Sequence, residues 1–403
     1  MSSRSDQVNF DIPIFKVSMS ENVGKEIEKV LLSGKISQYN KVDEFEKILS
    51  EYIGNDKILT VNSGTNALHL AYHLLQKPIK ELNFPGLENG DEVLTTALTC
   101  VATNWPILAN RLKIKWVDID PLTLNMNIED LKNKITNKTK IICIVHWGGT
   151  PIDLNKLKEI QDYAEEKFNF RPIIIEDGAH AFGAEYDGKK LGNHGNIVMH
   201  SFQAIKHLTT VDGGLLILPE KTLYERGKLL RWFGISRERK NKQKDFRVED
   251  NISEFGFKFH MNDVNATVGI CNFPIVVENL KKHRKYAEYY NKNLKDISCV
   301  TLLEIDEKIN SSYWIYSLKI EERDKFITYM RLKGVCVSQI HGRNDIHSCV
   351  KEFNTNLPIL NDIEKKIVCL PVGWWLTLEN VKYIVNCIKE WDQKRKFFLY
   401  RYI

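Results

Sequence analysis

The chain has 403 residues, 43 % hydrophobic and 27 % charged, with a formal net charge of +5 at pH 7. That length supports a large core and two unequal domains. So small a charge excludes a dedicated nucleic-acid binder while suiting an anionic small substrate. The N-terminal run Met1-Ser-Ser-Arg-Ser-Asp-Gln7 is polar and lacks the apolar region of a signal peptide. No apolar run approaches the roughly 18–20 residues of a membrane span. The eight cysteines form no CxxC pair, which argues for reduced thiols and a cytoplasmic protein.

In chain order, short apolar runs at 58–61, 92–95, 114–118, 140–146, 172–176, 197–202 and 214–218 are predicted strands. Several are β-branched and almost continuously hydrophobic, as strands buried on both faces are. Between them lie helical periodicities such as 153–168, with Leu154, Leu157, Ile160 and Ala164 on one face. Strand and helix alternating in this way predict an α/β fold with a mixed, mostly parallel sheet. Beyond about residue 270 the pattern changes. A helix is predicted over 271–294, then strands over 313–320 and 334–339 with a helix over 323–333 between them. The expected division is therefore a large domain over residues 1–270, including the N-terminal segment, and a smaller C-terminal α+β domain over 271–403. The basic, aromatic tail from Trp391 to Ile403 reads as a terminal helix docked through its rings.

The chemistry concentrates at strand ends. Lys206 lies in Ser201-Phe-Gln-Ala-Ile-Lys206-His-Leu-Thr-Thr-Val-Asp-Gly-Gly214, a short connector between two core strands, where a lysine serves solubility poorly. About 30 residues earlier the run Pro172-Ile-Ile-Ile-Glu176 ends in Asp177-Gly-Ala-His180. A lysine and an acid so placed are what pyridoxal 5'-phosphate requires, one for covalent attachment and one to keep the pyridine nitrogen protonated. Asp177 also reads as a simple cap, and His180 as either a partner of the cofactor's phenolic oxygen or a satisfied core histidine. Asn62-Ser-Gly-Thr-Asn-Ala-Leu68 follows a strand and opens an apolar helix, which makes it either a phosphate seat or an ordinary N-cap. In open α/β sheets such groups converge at the carboxyl edge.

Taken together these segments resemble the DegT/DnrJ/EryC1/StrS family of sugar aminotransferases. The resemblance rests on Ser63-Gly-Thr-Asn-Ala-Leu68, Asp91-Glu-Val-Leu-Thr95, the stretch 99–103, Val117-Asp-Ile-Asp120, Glu176-Asp-Gly-Ala-His-Ala-Phe-Gly183, the stretch 201–214 and His260-Met-Asn-Asp-Val-Asn-Ala266. It implies a fold type I, aspartate aminotransferase-like transferase dependent on pyridoxal phosphate. It further implies that Lys206 bonds the cofactor and shuttles the proton, that Asp177 pairs with the ring nitrogen, and that His180 stands where many members carry glutamine. Gly64, Thr65 and Ser201 then bind the phosphate from one subunit and Asn262 from the other, in a homodimer with shared sites. Two positions depart from the family pattern. Cys100 stands where members often stack an aromatic ring on the cofactor, and His207 directly follows the lysine, whereas a dehydratase branch has histidine in the lysine's own place.

The resemblance implies transfer of an amino group from glutamate to C4 of a nucleotide-linked 4-keto-6-deoxy sugar, dTDP- or UDP-linked. The supporting segments are Arg231-Trp-Phe-Gly-Ile235, Phe255-Gly-Phe-Lys-Phe-His260 and Val145-His-Trp-Gly-Gly-Thr-Pro151. Open alternatives are C3 amination, GDP-4-keto-6-deoxymannose as substrate, a C3 dehydratase, and a cofactor-binding regulator without turnover. The basic segment 236–247 reads as a diphosphate contact or a solvated loop. Gln339-Ile-His-Gly-Arg343 reads as pocket lining, and Trp374 and Trp375 as buried packing. No GxGxxG follows a strand, and no GxxxxGK[ST], GxSxG or HExxH occurs, so neither a metal, nor a nucleic acid, nor a membrane is an expected partner.

Overall fold

The computed structural model describes residues 11–237 and 251–399, with side chains described to residue 395. Its centre is a seven-stranded sheet of β1 (Ile58–Val61), β2 (Glu92–Thr96), β3 (Lys113–Val117), β4 (Thr139–Val145), β5 (Ile173–Asp177), β8 (Ile197–Ser201) and β9 (Gly214–Ile217). The spatial order is β1-β9-β8-β5-β4-β2-β3. β8, β5, β4, β2 and β3 run parallel, and β9 lies antiparallel between β1 and β8. Between β5 and β8 a small hairpin, β6 (Glu185–Tyr186) and β7 (Lys189–Lys190), pairs with a later strand. The central strands form because Ile141, Ile142, Ile144, Ile174, Ile175 and Val198 are branched and fully buried against helices on both faces.

Seven helices matter to the argument. They are α1 (Asn40–Ile53), α2 (Gly64–Leu74), α3 (Val101–Ala109), α4 (Leu154–Phe168), α5 (Asp263–Leu294), α6 (Arg323–Leu332) and α7 (Leu378–Leu399). Helix α4 buries the four residues Leu154, Leu157, Ile160 and Ala164 on one face, as their spacing predicts. Helix α5 starts at Asp263, eight residues before the expected start. Asn262 accepts the backbone N–H of Asn265 at 2.9 Å, and this cap extends the helix upstream. Residue 270 thus lies inside α5. The early part of the helix packs into the core of the large sheet through Ala266, Val276 and Leu280. Its later part packs into a second core through Tyr286, Ala287, Tyr290 and Leu294.

That second core lies against a three-stranded antiparallel sheet of β10 (Val300–Leu302), β12 (Tyr316–Ile320) and β13 (Ile367–Leu370). The remaining strand, β11 (Ile309–Asn310), pairs with β6. The expected strand over 334–339 does not form. Val335 makes one parallel bridge to Ile12 and Ser338 one antiparallel bridge to Cys369. The backbone then turns away at Ile340, where φ is +70°. The N-terminal segment from Ile12 onward thus shares that edge. Trp391 of α7 packs on Phe326 and Tyr329 with centroids 5.9 and 5.4 Å away, as a docked terminal helix requires. No described helix is long and apolar enough to cross a membrane.

Candidate active site

Backbone pairing brings three sequence-distant segments to one edge. Gly214 is opposite Val61 on one side and Ser201 on the other. The chain leaves β1 through Asn62 and Ser63 directly into α2, so the helix start, the end of β8 and the start of β9 meet. Two glycines make that approach possible. A Cβ on Gly214 would lie 2.6 Å from backbone atoms of Ser63 and Gly64, and one on Gly64 would lie 2.9 Å from Met199 Sδ and 3.1 Å from Ser201 Cβ. Ser63 Oγ accepts the N–H of Asn66 at 3.1 Å. The other first-turn N–H groups have no partner inside the helix. With the helix dipole and the exposed Thr65, they form a seat for an anion.

Asp177 closes β5 and is buried. Thr103 Oγ1 donates to its Oδ2 at 2.6 Å, and the N–H of Ala179 donates to Oδ1 at 2.9 Å. Thr103 is itself paired with Thr99 at 2.8 Å. Burial nevertheless pushes the Asp177 carboxyl above the usual carboxylate range, against these bonds and the charge of Lys206. An N–H⁺ donor set opposite the carboxylate would offset that cost. The neighbouring Glu176 faces the other way, bonded to His146 Nε2 at 2.8 Å and to Asn196 at 2.6 Å.

Lys206 lies five residues past the end of β8. Burial lowers its ammonium from the ordinary 10.5 to about 8, opposed by Asp177 and Cys100. Its Nζ stands 3.8 Å above the centre of the Trp314 ring. His180 stacks on the same indole with centroids 3.9 Å apart and planes 13° from parallel. Burial and the charge of Lys206 hold His180 well below 6.5, so it is neutral. Its Nδ1 is buried without a hydrogen-bond partner. A ring nitrogen and an amine without hydrogen-bond or ion-pair partners among the described residues, and a buried carboxyl, beside a glycine-lined anion seat fit pyridoxal phosphate in donor chemistry and in order along the edge.

Of the residues singled out in the sequence, Gly64, Thr65, Asp177, His180, Ser201 and Lys206 all lie on this edge. Asn262 caps α5 within its own chain. Cys100 is the N-cap residue of α3 and lies among the groups that set the charge of Lys206. His207 is buried and bonded through Nε2 to the Ser312 carbonyl at 3.0 Å, which leaves the lysine as the amine of the site. Most of the basic segment 236–247 lies outside the described residues. Trp147 of the Val145–Pro151 stretch meets His180 and His341 edge-on at 6.3 and 6.1 Å. His341 lies parallel to His180, with Nε2 atoms 3.4 Å apart. Trp374 and Trp375, expected as buried packing, are only half-buried; Trp375 rests against the second core and donates Nε1 to the Pro13 carbonyl at 3.0 Å. Sequence reasoning missed Trp314, Phe15 and the role of Thr103. Phe15 and Trp314 belong to no motif, and Thr103 lies in the 99–103 stretch that carries the resemblance, but its bond to Asp177 appears only in the fold.

A doubly wound sheet with a lysine, a buried acid and an anion seat at its carboxyl edge defines a pyridoxal-phosphate enzyme of fold type I. The model of the DegT/DnrJ/EryC1/StrS aminotransferase family matches residues 17–389, and the chain belongs to that family. It is a pyridoxal-phosphate-dependent aminotransferase. It is similar to the solved sugar aminotransferase CalS13 from Micromonospora echinospora, at 41 % identity and a TM-score of 0.88, covering 94 % of this chain and 99 % of that one. The GDP-perosamine synthase of Escherichia coli O157:H7 is 29 % identical over 94 % of this chain and 98 % of its own length. The dTDP-4-amino-4,6-dideoxy-D-glucose transaminase of Shigella dysenteriae is 28 % identical over 86 % and 89 %.

Proposed function

We propose that the protein transfers an amino group from glutamate to C4 of a nucleotide-linked 4-keto-6-deoxy sugar, giving a 4-amino-4,6-dideoxy sugar. The observation that carries the reading is the amine of Lys206, held at the sheet edge beside Asp177 with no carboxylate at ion-pair distance among the described residues. Support for C4 comes from the name of the Shigella relative, a transaminase of a 4-amino-4,6-dideoxy sugar, and from the Trp147 stretch beside His180.

When bound, the cofactor supplies an electron sink and carries the amino group between donor and acceptor. Asp177, fixed by Thr103 and Ala179, holds the ring N–H. His180, neutral and with Nδ1 unpartnered, takes the phenolic oxygen. Gly64, Thr65 and Ser201 hold the phosphate, and Asn262 of a second copy completes that contact in a homodimer. Lys206 Nζ accepts and returns the proton at the reacting carbon, a step its depressed ammonium suits near neutral pH. The cofactor-binding part and the smaller C-terminal part then share helix α5, whose packing passes from the first core to the second between Leu280 and Tyr286, beyond the expected division at residue 270. Among the described residues no cluster of three metal-ligating side chains occurs, and no role here needs one.

The test is incubation with glutamate and a panel of dTDP-, UDP- and GDP-linked keto sugars, with NMR assignment of the aminated carbon. A C4 amine is expected. A C3 amine, or loss of a C3 hydroxyl without nitrogen transfer, overturns the assignment.

A further inference from the structure

The contact between Lys206 and Trp314 is not required by the roles given above. Trp314 is 2 % exposed, belongs to the loop before β12 and packs, with Trp147 and Phe15, into a core of the large sheet. Its ring is fixed from several directions. Nε1 donates to the carbonyl of Ile205 at 2.9 Å, the residue directly before the lysine. Phe15 from the N-terminal segment stacks on it at 4.7 Å, and His180 at 3.9 Å.

The backbone that carries the indole is held just as closely. Arg284 Nε donates to the Ser311 carbonyl at 3.0 Å, His207 Nε2 to that of Ser312 at 3.0 Å and His283 Nδ1 to that of Tyr313 at 2.7 Å. Tyr313 itself takes a φ of +47°, a conformation that needs such support. Gly149 lets the loop approach, since a Cβ there would lie 2.6 Å from Ser312 Oγ and 2.9 Å from the backbone nitrogen of Trp314. Tryptophan packed as mere core filler needs no cation at its face. Here the amine sits over the ring centre, where the negative potential of an indole is greatest.

We propose that the face of Trp314 is the seat of the Lys206 ε-ammonium whenever that amine is not bonded to the cofactor, making Trp314 a positioning residue. The inference rests on the reading of Lys206 as the cofactor's lysine. A ring face suits the task because it attracts the ammonium without a directional hydrogen bond. The amine is thereby confined within reach of the reacting carbon, with nothing to break before it takes or gives a proton. A carboxylate in the same place would fix the charge and hold the lysine protonated.

The test replaces Trp314 alone with tryptophans bearing one to four ring fluorines, which weaken the ring's negative face and leave its shape nearly unchanged. The full chain loaded with pyridoxamine 5'-phosphate, in which the lysine is free, is trace-labelled with an amine reagent across pH, and Lys206 is read by mass spectrometry. Asp177, Cys100, His180, His207 and His341 also act on this amine and are unchanged across the series. The midpoint should fall step by step, by about half a unit to one unit in total. A midpoint that stays put across the series overturns the seat. The same series on the cofactor-free chain reads Lys206 whether or not the cofactor binds. A failure of binding would then count against the functional reading and leave this answer intact.

Discussion

The carboxyl edge of the large sheet holds its groups by strand register, whereas the loop of residues 311–315 holds Trp314 by side chains clamped onto backbone carbonyls. At the edge, Ser201, Gly214 and Val61 are aligned by continuous ladders, and Asp177 is simply the last residue of a buried strand. At the loop, Arg284, His207 and His283 each secure one carbonyl, and the backbone takes a left-handed turn. On the proposed reading the edge supplies groups that bond to the cofactor, and the loop supplies surfaces that confine what moves. Mutations at the edge should remove chemistry, while those at the loop should detune it.

The largest effect is expected at Lys206. Lys206→Ala should lower the transamination rate by ~10⁴-fold or more, since both the covalent anchor and the proton carrier are lost. Asp177→Asn comes next, weakening cofactor binding by about 10²–10³-fold, the usual result of truncating one partner of a buried charge pair. In the cofactor-free chain the same change should act in the opposite direction. The Asp177 carboxyl is pushed up by burial, so its favourable contribution is present below the ordinary carboxylate range and is lost as pH rises through the raised value. Removing the ionisable group should therefore leave the cofactor-free protein as stable or more stable at neutral pH, by thermal unfolding followed across pH.

On the loop side the effects shrink. Trp314→Leu should cost about tenfold in kcat with little change in the KM for glutamate, because the seat acts on a proton transfer and not on donor binding. His341→Ala should mainly raise the KM for the sugar nucleotide, by a factor of roughly 3–10, the worth of a single hydrogen bond or ring contact. An edge variant that only detuned the rate, or a loop variant as severe as Lys206→Ala, would erase the distinction between the two regions.

The same distinction explains what could be read from the sequence. All seven strands of the large sheet are legible because short apolar runs rich in branched residues recur between helical periodicities, and their ends carry Ser63, Asp177 and Lys206 into view. Trp314 was not legible. It lies 108 positions after the lysine, and only the folded loop places it over the amine. Phe15 was hidden for the same reason, reaching Trp314 from the opposite end of the chain. The helix predicted over 271–294 begins eight residues earlier because Asn262 caps it, a signal that lies upstream of the periodic stretch. The predicted strand over 334–339 failed because its edge is shared with Ile12, a long-range pairing that local pattern does not carry.

The central claim is that Lys206 at this sheet edge carries the cofactor and exchanges amino groups through it. The most direct measurement is the visible absorbance of the purified protein supplied with pyridoxal phosphate, before and after glutamate, with Lys206→Ala alongside. A visible band that depends on Lys206, is bleached by glutamate and is restored by a keto-sugar nucleotide is the predicted result. A band that the alanine variant retains unchanged, or that glutamate and every other amino donor leave untouched, would contradict it.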